Sequence, residues 1–122
     1  MTDDTLQTQT QNLVQELRRG VIVLAVLSQV HEEQYGYSLL TLLEKKGLQI
    51  DQGTLYPLLR RLEEQNLLES SWRVEESRPR RYYHLSSFGE KVLNAMTDEW
   101  SQIKNVVDEL LFNEKEKENE TH

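Results

Sequence analysis

Apolar residues recur along the first half of the chain in a pattern that predicts three helices. The segment GVIVLAVLSQV is apolar at most positions and long enough for a buried helix of about three turns, over about residues 20–30. After the polar break HEEQYG, the segment YSLLTLLEKKG predicts a second helix over about 36–46, which Lys45, Lys46 and Gly47 would end. The short segment LQID then leads into a third apolar pattern, so a turn would join the second and third helices.

The third predicted helix runs to Gln65 and is amphipathic. Its leucines follow helical spacing and would face the core: Leu55, Leu58, Leu59 and Leu62. Asp51 is one candidate N-cap and Thr54 is the other. Pro57 lies inside this helix, where a proline costs about 3 kcal/mol unless it falls near the first turn, whose donors have little or no intrahelical partner. The identity of the cap therefore decides how much strain Pro57 introduces, and the sequence leaves it open.

Two segments after the third helix alternate between apolar and polar positions, as strands do. LLESSWRV and RRYYHLS each place successive side chains on opposite faces. The segment EESRP between them is rich in charge and turn formers, which predicts a hairpin loop that points into solvent. The apolar face of the hairpin would be formed by Leu68, Trp72, Tyr83 and Leu85.

A long final helix is predicted after the hairpin. Ser87 followed by Glu90 fits a capping box, and Ser86 is an equally good cap one residue earlier. The large apolar residues of this helix alternate at spacings typical of a seam between two helices: Met96, Trp100, Ile103, Val107 and Leu110. The seam predicts a dimerisation surface. The alternative is that the helix folds back onto its own domain, where residues 5–18 offer the local cover.

Residues 5–18 are themselves expected to form a helix that packs against the final helix of the partner. The apolar residues that would make this contact are Leu6, Leu13, Val14 and Leu17. Such a helix would enlarge the dimer interface.

Three helices followed by a two-stranded hairpin make a winged helix-turn-helix. The predicted fold class is therefore mainly α with a small β-hairpin: a winged helix-turn-helix domain plus a long C-terminal dimerisation helix. In this fold the third helix enters the major groove of DNA and the hairpin lies along the flanking backbone. The predicted division is an N-terminal extension over 1–18, a DNA-binding domain over 19–86, a dimerisation helix over 87–112 and a disordered acidic tail over 113–122.

The net charge of −7 argues against a nucleic-acid partner only until its distribution is considered. The last fifteen residues hold six acidic residues and two lysines, which leaves −4 there. Arg60–Arg61 and the run RPRR over 78–81 instead form two basic clusters that could meet one polyanion. Solvated surface charge is the alternative interpretation of either cluster.

Composition excludes several classes of function. The chain has no cysteine and only three histidines, His31, His84 and His122, so we expect no disulfide framework and no metal site. The longest apolar run, VIVLAVL, is far shorter than the roughly 20 residues of a membrane span, and the N-terminus is polar and acidic, so we expect a soluble, cytoplasmic protein. No Ser/His/Asp set, carboxylate pair or phosphate-cradling glycine loop is visible, so an enzyme is the least supported interpretation and no cofactor is expected.

The residues that form this pattern resemble those of the PadR family of transcriptional regulators, in its short type with a single C-terminal dimerisation helix. The resemblance runs from about Arg18 to Leu111, through RRGVIVLAVL, YGYSLL, GTLYPLLRRLEEQNLLES and RPRRYYHLSSFGEKVL to a tryptophan-bearing final helix. Its most specific part is GTLYPLLRRLE followed by a basic turn and YYHLS. It implies a bacterial homodimeric repressor that binds double-stranded DNA at an inverted-repeat operator, often released by a small phenolic, drug-like or stress-linked signal.

The resemblance also implies roles for residues of the helix-turn-helix. The start of the recognition helix is formed by Gln52, Gly53, Thr54, Tyr56 and Pro57, with Arg60 one turn deeper. Thr54, Tyr56 and Arg60 are expected to contact phosphates or base edges, although Tyr56 could instead pack against the second helix. Tyr37 and Ser38 open the second helix, where such proteins hold phosphate, or else serve a turn and core packing.

In the wing, Arg78, Arg80 and Arg81 are the expected DNA-facing cations. Arg81 alternates with Tyr83 and Leu85, so it could lie over the core instead. Arg78 is the clearest DNA-facing candidate of the three.

Two further residues bear on the fold and on regulation. Asn66 stands where the family usually has glycine after the recognition helix, and asparagine is the next-best residue for a left-handed C-cap. Trp100 could approach its twin across a two-fold seam and sandwich a flat aromatic effector, but tight packing of the seam explains it without a ligand. A winged-helix protein-interaction module without DNA binding is the alternative function, which the net charge favours.

Overall fold

The computed structural model describes residues 3–113, and these form four helices and one three-stranded antiparallel sheet. The elements in chain order are α1 (Asp3–Ser28), β1 (Gln34–Tyr35), α2 (Gly36–Lys45), α3 (Gln52–Glu64), β2 (Leu68–Glu75), β3 (Arg78–Leu85) and α4 (Ser87–Phe112). The mainly helical winged fold is confirmed. The predicted acidic tail lies, from residue 114 onward, outside the described residues.

The first helix is much longer than predicted. Instead of one helix over 5–18 and another over 20–30, a single helix runs from Asp3 to Ser28. Gly20 is the one weak helix former at the expected junction, and a helical glycine costs only about 1 kcal/mol. That cost is too small to break a helix whose later residues pack against the core, with Val26 and Leu27 fully buried.

Asp51 caps α3. Its Oδ1 accepts the Thr54 backbone N–H at 2.7 Å, which excludes Thr54 as the cap. Pro57 is therefore the sixth residue of a helix that begins at Gln52, beyond the first turn, and it removes the N–H that would have bonded to the Gly53 carbonyl. The helix nevertheless continues to Glu64 because its apolar side is held by the core.

The core is built around the leucines of α3. They pack with apolar side chains from α1, α2, the sheet and the start of α4, and the fully or nearly fully buried members are Val26, Leu27, Val30, Leu39, Leu43, Leu55, Leu58, Leu59, Leu62, Leu67, Leu68, Tyr83 and Leu93. Burying a leucine side chain stabilises the fold by roughly 1.5–3 kcal/mol. Four such residues on α3 fix which side of that helix faces outward.

The hairpin loop is shorter than predicted. Glu75 pairs with Arg78, so the turn consists only of Glu76 and Ser77, with φ of 51° and 64°. Positive φ at both positions is the geometry of a type I′ turn, which matches the twist of the flanking strands. The run RPRR therefore belongs to β3, not to a loop.

A third strand, β1, was not predicted. Its two residues pair with Tyr82 and Tyr83 on the free edge of β3, giving the strand order β1-β3-β2. Pro79 lies beyond the end of β1, where β3 is an edge strand and its missing N–H leaves no neighbour unpaired.

The joint between hairpin and α4 is tightly packed. Ser86 is the N-cap, since its Oγ accepts the Gly89 N–H at 2.8 Å and donates to the Asn66 carbonyl at 2.6 Å. Asn66 has the predicted left-handed backbone, with φ of 65°. A Cβ on Gly89 would lie 2.1 Å from the Leu67 carbonyl oxygen, a backbone atom that cannot turn aside.

We therefore expect Gly89→Ala to lower the free energy of unfolding by about 1–3 kcal/mol through overpacking. Gly20→Ala is the matched control: nothing lies within 4 Å of a Cβ there, so it should raise stability by about 0.5–1 kcal/mol. Urea unfolding followed by circular dichroism measures both, and equal stability of Gly89→Ala and the unmodified chain would contradict the packing.

Candidate nucleic-acid interface

The exposed side of α3 lies opposite its buried leucines. It presents Gly53, Pro57 and Arg60 to solvent. The backbone N–H groups of Gln52 and Gly53 fall in the first turn and have no intrahelical acceptor, which makes this end attractive to an anion. Arg60 makes no ion pair within residues 3–113, so its charge is available to a ligand.

A cleft separates α3 from the hairpin, and we call it the wing cleft. It encloses about 390 Å³ and is lined by residues from α2, α3 and the sheet: Tyr35, Gly36, Tyr37, Tyr56, Leu59, Arg60, Trp72, Pro79, Arg80, Arg81 and Tyr83. Three of these are arginines and none is acidic. In a chain with a net charge of −7, this surface is locally basic.

Arg81 joins the wing to α3. Its guanidinium bonds to Glu63 Oε1 at 2.5 Å and donates from Nε to Ser70 Oγ at 3.0 Å, while Ser70 Oγ donates to the other oxygen of Glu63. The guanidinium also lies beside the rings of Trp72 and Tyr83, 5.7 and 5.5 Å from their centroids. Arg81 thus lies on the core side of the hairpin, as its alternation with Tyr83 and Leu85 allowed.

Burial raises the pKa of Tyr83, and the charge of Arg81 opposes this only in part. Tyr83 therefore stays neutral, and its ring serves as packing under the ion pair.

Arg80 points to the other face of the hairpin and is engaged there. Its guanidinium lies over the Tyr35 ring at 4.6 Å and reaches Glu75 at 3.5 Å. Burial lowers the pKa of Arg80, but Tyr35, Tyr82 and Glu75 more than offset this, so its pKa lies above the ordinary value. Arg80 carries a permanent charge that is already partnered.

Arg78 is in a different position from Arg80. It is exposed beside the two-residue turn, and within residues 3–113 it makes no ion pair. It is therefore the wing cation best placed to reach a ligand.

The two predicted site residues at the start of α2, Tyr37 and Ser38, lie in different environments. The Tyr37 side chain is exposed and lines the wing cleft. The Ser38 hydroxyl accepts the Tyr35 N–H at 3.1 Å and lies 2.7 Å from Gln34 Oε1, so it is used within the protein at the start of α2.

Tyr56 packs against the second helix, the alternative that its sequence position left open. A Cβ on Gly36 would lie 2.4 Å from Tyr56 Cε1, so glycine is what lets the ring approach the start of α2. The ring is half-buried and still lines the wing cleft. Tyr56 thus shapes the cleft and is at the same time open to a ligand there.

Trp72 is not part of the hairpin core, and that prediction is wrong. Its side chain is 65% exposed, because at its position the hairpin extends beyond the elements that cover Leu68 and Tyr83. Alternation correctly placed Trp72 on the inner face, but alternation does not report whether anything covers that face.

A second cleft lies on the other side of α3, between α1 and the start of α3, and we call it the α1 cleft. It encloses about 540 Å³, and its lining includes Arg18, Arg19 and Arg61. Arg18 donates to the Gln49 carbonyl oxygen at 2.5 Å. Sequence reasoning missed Arg18 and Arg19 as site residues, although they form the same kind of arginine pair as Arg60–Arg61.

The predicted seam of α4 is largely uncovered. Met96 packs partly against the core, whereas Trp100 is 41% exposed and Ile103, Val107 and Leu110 are more exposed still. The apolar residues of the part of α1 before Arg18 are exposed as well: Leu6, Leu13, Val14 and Leu17. Within residues 3–113 the chain therefore does not fold back over this seam.

Residues 3–113 lack two features of other protein classes. Among residues 3–113 no group of three or more His, Cys, Asp or Glu side chains could hold a metal ion. No helix in that range is long and apolar enough to cross a membrane.

Known proteins resemble this chain in sequence. A sequence model of the Transcriptional regulator PadR-like family matches residues 23–95. A transcriptional regulator of Mycobacterium tuberculosis is 32% identical over 99 residues, which cover 80% of this chain and 90% of that protein.

Solved structures agree with the sequence match. The crystal structure of a PadR-family transcriptional regulator from Eggerthella lenta matches with a TM-score of 0.80 and 42% identity, covering 88% of this chain and 96% of the other. A PadR-like transcriptional regulator from Bacillus cereus matches with a TM-score of 0.72 and 31% identity, covering 81% and 99%.

The matched residues 23–95 begin inside α1 and end inside α4, so they include the helix-turn-helix, the wing and the clefts beside α3. The resemblance found in the sequence is confirmed. This chain belongs to the PadR-like family of transcriptional regulators, which are DNA-binding proteins and not enzymes.

Proposed function

We propose that the protein is a cytoplasmic homodimeric repressor that binds an inverted-repeat operator through α3 and the wing. The observation that carries this proposal is the open face of α3, where Arg60 has no acidic partner within residues 3–113 and an acid-free cleft adjoins it. A B-DNA major groove is about 12 Å wide, enough to admit one helix.

The α3 N-terminus would approach a phosphate through its backbone. Gly53 lacks a side chain, and a Cβ there would meet only Asp51 Oδ1, at 3.5 Å. Nothing within residues 3–113 thus requires glycine at this position. Contact with DNA would require glycine here, because the methyl group of an alanine would hold a phosphate away from the backbone N–H groups of the first turn.

The proposed DNA contacts fall into two groups. Direct contacts are assigned to exposed or cleft-lining residues: Tyr37, Gln52, Gly53, Thr54, Tyr56, Pro57, Arg60 and Arg78. Ser38 and Arg80 support them, because their polar groups bond within the protein and hold Tyr35 and the start of α2. Arg60 would read a base edge or phosphate from the middle of the groove.

The exposed seam of α4 and the apolar residues of the part of α1 before Arg18 support the homodimer. Two copies joined through this surface about a two-fold axis would present two α3 helices to DNA, and an inverted repeat has the same symmetry. Dimerisation would also bury apolar side chains that a monomer leaves in water.

Trp100 is the candidate contact for a small aromatic effector. It lies in the proposed seam, where a two-fold axis would bring two indole rings near each other, and it is 41% exposed in the single chain. A flat ligand held between two rings would gain stacking energy while changing how the subunits meet.

Gly53→Ala tests the α3 contact. Stability should be unchanged or higher by up to about 1 kcal/mol, since the added methyl meets no clash and alanine favours a helix. Affinity for a genomic fragment that the unmodified protein retains should fall at least about tenfold, a loss of about 1.4 kcal/mol. Fluorescence anisotropy and urea unfolding measure the two effects.

Arg60→Ala should weaken binding to the same fragment. If both Gly53→Ala and Arg60→Ala bind that fragment as tightly as the unmodified protein, α3 does not contact DNA in the proposed way.

Ile103→Asp tests the dimer. The side chain is exposed in the single chain, so the fold should survive, but a carboxylate in the seam should raise the dimer dissociation constant at least about a hundredfold, or about 2.7 kcal/mol. Asn105→Asp adds the same charge on the opposite side of α4 and should leave the dimer intact. Light scattering across a concentration series reports both, and a stable Ile103→Asp dimer would exclude this seam.

Trp100 fluorescence tests the effector site. Because Trp72 is exposed too, the clean reporter is Trp72→Phe, in which Trp100 is the remaining tryptophan. Titration with planar aromatic compounds should quench this variant and should not quench Trp100→Phe. Quenching confined to Trp100→Phe would place the ligand at the wing.

A further inference from the structure

We propose that the α1 cleft binds the phosphate backbone of one DNA strand through Arg18, Arg19 and Arg61. This inference rests on the proposed function and extends the DNA-contacting surface to α1, which the sequence did not point to.

The position of the α1 cleft relative to α3 is the first argument. The exposed face of α3 is bordered on one side by the wing cleft and on the other by the α1 cleft, which its residues Thr54, Pro57 and Arg61 line. A helix with its side chains is about 10–12 Å across and nearly fills a major groove about 12 Å wide. The two strands of the duplex therefore pass along both sides of α3, and the strand away from the wing meets the α1 cleft.

The charge of the cleft is the second argument. Asp51 is the one acidic residue that lines it, and its Oδ1 already accepts the Thr54 N–H. Arg19 and Arg61 make no ion pair within residues 3–113, and Arg18 bonds to a neutral carbonyl, so its charge also remains unbalanced. By contrast, Arg80 and Arg81 of the wing cleft are paired with Glu75 and Glu63.

Three arginines against one carboxylate on one concave surface leave a net positive charge that attracts a polyanion, and in a chain of net charge −7 they are a local exception. The apolar floor of the cleft, which includes Ile22 and Leu58, would accept the deoxyribose carbons between phosphates. A small organic anion with an apolar body would suit the same lining, so the experiment must separate the two ligands.

The experiment compares Arg19→Ala/Arg61→Ala with the unmodified full-length protein by anisotropy, on a retained genomic fragment and on random DNA, over a series of salt concentrations. Each lost phosphate contact lowers the slope of log K against log salt by about 0.9, so the double variant should lose about 1.8 per subunit, or about 3.6 for the proposed dimer. Affinity for both DNAs should fall by the same factor, since phosphate contacts carry no sequence information.

Two controls sharpen the result. Lys104→Gln also removes a positive charge, but from the half of α4 that the core does not cover, and it should keep the original slope. Arg19→Lys/Arg61→Lys keeps both charges and should restore most of the slope, which separates lost charge from a disturbed fold.

An unchanged slope in the folded alanine variant overturns the inference. If benzoate also raises the melting temperature of the unmodified protein but not of that variant, the cleft is a site for organic anions. If the unmodified protein binds no DNA even at low salt, the proposed function fails, and this inference fails with it.

Discussion

Burial of one side of α3 is the constraint on which the rest of the structure depends. Leu58 and Leu59 on α3 are almost completely buried, as are the leucines one turn before and after them. Because these side chains fix the rotation of α3 about its axis, they also fix which residues face outward. The Asp51 cap sets where the helix begins, so the free N–H groups of the first turn lie at one defined end of that outward face.

The wing is positioned by electrostatic contacts in addition to apolar packing. Glu63 on α3 binds both Ser70 and Arg81, and Arg81 in turn lies beside the Trp72 ring. On the outer face, Arg73 pairs with Glu33 and lies over Tyr82. Several cations of an acidic chain thus hold the hairpin in place, whereas Arg60 and Arg61 on α3 and Arg19 on α1 make no ion pair within residues 3–113.

Much of the fold could be predicted because local signals are strong there. Asn66 marked the end of α3 because a left-handed position favours glycine or asparagine, and the cap choice between Asp51 and Thr54 was correctly limited to two residues. The two-residue strand β1 could not be predicted, since two residues have no measurable period. Both parts of α1 were predicted to be helical, but their continuity was not, because one glycine at the junction does not reveal whether a helix breaks there.

The candidate site was less predictable than the fold. Sequence spacing placed Arg80 and Arg81 near DNA, but it does not reveal that Glu75 and Glu63 lie opposite them in the folded chain. For Trp72 the sequence predicted the correct face of the hairpin but not the exposure of the side chain. That exposure depends on how far the hairpin extends past α3. Such contacts between distant segments are not encoded in any local pattern.

The unbroken α1 helix has a mechanical consequence. The part of α1 before Arg18 carries the exposed apolar residues proposed to meet a partner subunit. The part after Arg19 packs against the core, so Arg18 and Arg19 lie where the two parts join. A helix of 26 residues is about 39 Å long and transmits tilt along its whole length. In a dimer joined through this surface, a shift between subunits would tilt α1 as a rigid unit. This tilt would change the orientation of the whole DNA-binding domain, without any ligand having to contact α3.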